Sequence, residues 1–61
     1  MDEKEAREHL MGSVEPKDNS LHPGGEYYMS WKPGQMTITL DDNFTIEQLE
    51  AIVWWMKNKN V

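Results

Sequence analysis

Apolar and polar residues alternate along this chain with two different periods, and each period marks an element. Over residues 44–57 (FTIEQLEAIVWWMK), Leu49, Ile52, Val53 and Met56 follow the i, i+3, i+4, i+7 spacing of a helix with one buried stripe. The start of that helix is marked as well. Thr45 stands as N-cap, Gln48 three positions later completes a capping box, and Phe44 precedes the cap where it can staple onto Leu49. Lys57 and Lys59 occupy the end where the helix dipole favours cations.

Upstream the period is two. Residues 26–31 (EYYMSW) are rich in strand-favouring aromatics, and residues 36–41 (MTITLD) alternate apolar side chains with threonine. Between them Lys32-Pro33-Gly34-Gln35 puts proline and glycine at the central positions of a type II turn. Pairing Trp31 with Met36 sets Met29 against Ile38 and Tyr27 against Leu40, all six on one face, with Tyr28, Ser30, Thr37 and Thr39 on the other. A one-residue slip would invert this sorting, so the register is expected to be firmly specified. Type II turns match strand twist less well than primed turns, but a wider four-residue loop preserves the same pairing.

Residues 1–11 (MDEKEAREHLM) have fair helix propensity and early acids, yet only Ala6, Leu10 and Met11 are apolar, which predicts a short, frayed or partner-dependent helix within 2–11. Residues 12–25 (GSVEPKDNSLHPGG) read as a linker. The expected fold is α+β: a small ββα unit over residues 26–61, a β-hairpin packed on one amphipathic helix, preceded by a flexible or weakly helical acidic N-terminal arm and linker over residues 1–25.

The adjacent indoles of Trp54 and Trp55 add a geometric constraint, because neighbouring helical residues diverge by about 100°. With Leu49 at the centre of the buried stripe, Trp55 falls about 120° to one side and Trp54 about 140° to the other. Glu47, Ala51 and Asn58 lie between them on the far side. A small residue framed by two indoles suits a close contact with another chain, and tryptophan is enriched at interface hot spots. The expected partner or oligomer interface is therefore Trp54, Trp55, Ala51, Glu47 and Asn58, with Tyr28 and Trp31 as secondary contacts. The plainer alternative has Trp55 at the edge of the chain's own core and Trp54 over lysine or loop atoms. Tyr27, Met29 and Trp31 read as ordinary core.

Composition narrows the function classes. Net charge is −5, from eleven acids against six bases, and most of it lies before residue 27. An acidic chain repels phosphate backbones, which argues against direct nucleic-acid binding but is compatible with a basic surface on a nucleic-acid enzyme. With no cysteine, disulfides and thiolate metal sites are excluded. The longest apolar run, residues 51–56, is far short of the about twenty that span a bilayer. No signal peptide is evident, so a cytoplasmic protein without membrane contact is expected. A domain of 61 residues without disulfides is marginal, which adds weight to a homo-oligomer.

Candidate chemistry is sparse. His9 and His22 have no ligand spacing around them and read as surface histidines. Asp41-Asp42-Asn43 lacks the glycine and terminal glutamate of a calcium loop, and turn chemistry explains it. Gly24-Gly25 and Gly34 are turn glycines rather than a phosphate loop. Ser13, Ser20 and Ser30 have no histidine at a motif spacing. Glu47 and Glu50 read as a solvated face, and Lys57-Asn58-Lys59 is too small a basic cluster for nucleic acid. No catalytic residue, cofactor or metal is expected, and the chain does not read as an enzyme.

Residues 26–60 resemble small hypothetical proteins encoded in bacteriophage and prophage genomes. Those often end in a strand followed by a helix of the form F-T-x-E-Q-L-E-A-I-x-W-W-M. The matching residues are Phe44, Thr45, Glu47, Gln48, Leu49, Glu50, Ala51, Ile52, Trp54, Trp55 and Met56. The resemblance leaves residues 1–25 aside and implies a setting in which small accessory proteins bind a host factor rather than catalyse. The expected function is thus a non-enzymatic, phage-type accessory protein, an oligomer that inhibits or modulates a host defence or nucleic-acid-processing protein. Two alternatives remain open: an oligomer that sequesters a nucleotide-like molecule in aromatic pockets between subunits, with Tyr28, Trp31, Trp54 or Trp55 stacking on it, and a structural accessory protein of the virion.

Overall fold

Asp2 begins the first element by accepting the Glu5 N–H on its carboxylate at 2.9 Å, an N-cap for helix α1, Glu3–His9. The computed structural model describes residues 1–24 and 28–60. Glu3 and Glu5 lie in the first turn of α1 and Arg7 and His9 in the last, the charge order the helix dipole favours. Seven residues are too few for a helix to persist alone. This one is held by packing, since Ala6 and Leu10 are buried and α1 lies against the C-terminal helix.

The segment after α1 is structured too. Val14 and Leu21 form an antiparallel bridge closed by the Glu15 N–H to the Ser20 carbonyl at 2.8 Å. The Asp18 carboxylate accepts both the Ser20 N–H (3.0 Å) and its hydroxyl (2.7 Å), and Asn19 turns the chain at φ 64°. Leu21 then makes a reciprocal pair with Trp31, its N–H donating at 2.9 Å and its carbonyl accepting at 3.0 Å. Gly24 passes so close to the Gly12 backbone that a Cβ there would sit 2.0 Å from the Gly12 carbonyl oxygen, so no other residue fits without moving the main chain.

Strand β1 (Met29–Ser30) pairs antiparallel with β2 (Thr39–Leu40), Met29 opposite Leu40 and Ser30 opposite Thr39. The expected hairpin is present but its register is corrected by two residues, since Met29 was expected opposite Ile38. The cause is Trp31, whose backbone is taken by Leu21 and whose indole N–H donates to the Gln35 carbonyl at 3.0 Å, widening the loop. Met36 is left 84% exposed rather than facing Trp31. An even shift keeps every side chain on its face, so Tyr28, Ser30, Thr37 and Thr39 are still exposed. The Lys32–Gln35 turn forms as expected, with Gln35 N–H donating to the Lys32 carbonyl at 3.0 Å and Gly34 at φ 103°. The pairing expected for Tyr27, and the boundary placed at Glu26, lie outside the described residues.

Helix α2, Ile46–Lys59, starts with the full capping box: Thr45 Oγ1 accepts the Gln48 N–H at 3.1 Å, and Gln48 Oε1 accepts the Thr45 N–H at 2.8 Å. Its buried face is Ala51, Ile52 and Trp55. The expected stripe of Leu49, Ile52, Val53 and Met56 is therefore corrected. Only Ile52 is fully inside, Met56 is half-buried, and Leu49 and Val53 are 41% and 50% exposed.

The architecture is α+β, a two-stranded antiparallel hairpin packed with a C-terminal helix, and one core joins its parts. Ala6, Leu10 and Leu21 from the N-terminal segment meet Met29 and Trp31 from the hairpin and Ala51, Ile52 and Trp55 from α2. The radius of gyration, 10.2 Å, is that of a folded domain of this whole length (roughly 10.5 Å), so the N-terminal segment lies on the body of the molecule and does not trail from it. Among the described residues, no helix is long and apolar enough to cross a membrane.

Candidate functional site

Trp55 organises the inner side of α2. Its indole N–H donates to the Asn19 carbonyl at 2.8 Å, which supplies the partner a buried indole needs. The Arg7 guanidinium lies 5.0 Å and the Lys59 ammonium 5.4 Å from the ring centroid, both within cation–π range. The Glu3 carboxylate holds the two cations, accepting from Lys59 Nζ at 2.6 Å and from Arg7 Nε at 3.1 Å. The Lys59 hydrogen bond, then that of Arg7, keeps the Glu3 carboxyl below the usual glutamate range.

That enclosure corrects the expected interface. Trp55 and Ala51 are 0% exposed, and so is Trp31 among the secondary contacts. The divergence of the two indoles was expected to need another chain to cover one of them. Here α1 and the segment after it add the missing cover, bringing in Ala6, Leu10, Leu21 and the Arg7 guanidinium over the ring. Trp31 and Trp55 thus have no face free to stack on a nucleotide-like ring. Trp54 is half-buried against the core, its ring centroid 6.1 Å from that of Trp55 at a 48° tilt. Glu47 and Asn58 are exposed, and Asn58 Nδ2 donates to the Trp54 carbonyl at 2.8 Å. Tyr28 is exposed, with its N–H bonded to the Asp42 carboxylate at 2.7 Å, so that acid serves the turn into α2.

Turning Trp55 inward leaves the aliphatic side of α2 facing out. Ile46 (72% exposed), Leu49 and Val53 form an i, i+3, i+7 stripe, and with Met1 and half-buried Trp54 they line a shallow groove of about 420 Å³. Glu50 and Lys57 stand in the same groove. The spacing of Leu49 and Val53 marks this stripe, though it was expected in the core, and Ile46, three residues before Leu49, extends the same spacing. A larger groove of about 740 Å³ runs between α1 and the following loop, past Glu3, Arg7, Met11, Val14 and Pro16. Two of those residues, Glu3 and Arg7, are already ion-paired within the chain.

His9 is exposed, and the His22 ring lies with Nδ1 3.0 Å from the Pro23 carbonyl. Among the described residues, no group of three or more histidine or acidic side chains is placed to hold a metal ion. Searches of family models, curated proteins and solved structures find no match to this chain.

Proposed function

We propose that this chain is a non-enzymatic accessory protein that works by binding protein, with the outer face of α2 as its contact surface. The observation that carries the reading is the exposure of Ile46, Leu49 and Val53 on one side of a well-capped helix, next to half-buried Trp54. An apolar stripe of this kind on so small a domain loses its unfavourable contact with water when another chain covers it. Trp54 at its margin is the residue type that most often anchors such contacts. The bacteriophage resemblance of the α2 segment supplies the setting, in which the protein covered or modulated belongs to the host.

The test is recovery of proteins from a bacterial lysate on the immobilised chain. Wild type and Met11→Asp, altered in the separate groove beside α1, are expected to recover the same set, and Val53→Glu is expected to lose it. If Val53→Glu recovers that set unchanged, the α2 face is not the contact.

A further inference from the structure

We infer that the chain covering the outer face of α2 is a second copy, docked antiparallel about a two-fold axis that passes between Val53 and Trp54. This rests on the reading of that face as a protein contact and names its occupant.

The order of side chains along the seam carries the inference. Ile46, Glu50, Val53 and Lys57 recur at i, i+4, i+7 and i+11, which places them in a band roughly 60° wide on the side of α2 away from Ala51 and Trp55. Leu49 and Trp54 flank the band. Glu50 and Lys57 are both exposed, about 10.5 Å apart along the helix axis, and among the described residues no ion pair engages either of them. The other lysine of the last turn, Lys59, is already bound to Glu3.

A surface that meets its own copy across a two-fold must be self-complementary. Rotation about a point midway between positions 50 and 57 sets Glu50 of each copy opposite Lys57 of the other. The same rotation brings Val53 onto Trp54 of the other copy and opposes the helix dipoles head to tail. A parallel arrangement would put Glu50 on Glu50 and Lys57 on Lys57. The sign order along the stripe thus selects one orientation, which is what rim charges do at interfaces. A seam made by one helix face is smaller than the roughly 800 Å² per partner of a standard stable complex, so the dimer dissociates on dilution.

The experiment is sedimentation equilibrium of the full chain at low salt over a wide concentration range, with far-UV circular dichroism confirming that each variant is folded. Wild type is expected to rise with concentration to twice the monomer mass. Glu50→Lys and Lys57→Glu should each weaken association on the order of tenfold, and the double reversal Glu50→Lys/Lys57→Glu should recover most of it. A wild type that is monomeric throughout, or a double reversal no tighter than the single variants, overturns the antiparallel pairing. Failure of the broader reading looks different: a monomeric wild type whose lysate partners are lost in Val53→Glu still has a binding face, whereas one whose partners are indifferent to Val53→Glu has none.

Discussion

At the scale of the residue, Trp55 combines complete burial with a hydrogen bond to a carbonyl 36 positions away and a cation on the ring from each helix. Trp55→Ala is expected to cost about 3–5 kcal/mol, measured by urea denaturation, and to leave a domain this small largely unfolded. Gly24→Ala should cost about 1–3 kcal/mol in the same assay, because the added methyl meets fixed backbone and not a movable side chain. A midpoint for Gly24→Ala equal to wild type would show that the Gly12–Gly24 approach relaxes freely. Neither role was legible in the sequence. The partners of Trp55 and Gly24 lie far off along the chain or on the main chain, where neither hydrophobic spacing nor turn propensity reaches.

At the scale of the element, α2 separates what local chemistry fixes from what packing decides. The cap and its box depend on residues three apart, and both were readable. Thr45→Ala should therefore cost about 1 kcal/mol, seen as a lower denaturation midpoint. The choice of buried face was not readable, because α2 carries apolar side chains on both sides: Leu49 and Val53 on one, Ala51, Ile52 and Trp55 on the other. Spacing alone favours the aliphatic stripe. The fold favours the other: Ala51, Ile52 and Trp55 join the common core, where the Trp55 indole meets Arg7 of α1 and donates to the Asn19 carbonyl. Val53→Glu consequently changes stability by no more than about 0.5 kcal/mol, whereas a buried valine in that position would cost several times as much. A large loss of midpoint in Val53→Glu would place that side chain inside after all.

At the scale of the whole molecule, the first and last helices are tied by Glu3 and Lys59. The held-down Glu3 carboxyl gives a signed pH dependence. Its contribution is complete above the ordinary glutamate range and fades as pH falls through and below it, because the unfolded chain then takes up the proton first. Asp18, held down chiefly by the Ser20 hydroxyl, acts in the same direction. Melting temperatures from about pH 6 to pH 3 should fall, and Glu3→Gln should flatten part of that slope. An unchanged slope in Glu3→Gln would remove the tie from the acid response. The sequence led to the hairpin-and-helix body but treated residues 1–25 as peripheral, since they offer few apolar side chains. Ala6, Leu10 and Leu21 are enough, because each is used fully and the backbone bridges from Val14 to Leu21 to Trp31 add order that composition does not register.

The clasp between Glu3 and Lys59 has a temporal meaning too. A nascent polypeptide leaves the ribosome N-terminus first, so α1 emerges long before the surface it rests on has been translated. Its docking must wait for the last turn of α2, and such long-range closure is the slow kind. Until then Leu10 and Leu21 lack the cover that Ala51, Ile52 and Trp55 give them, so the partly formed fold presents apolar surface open to aggregation.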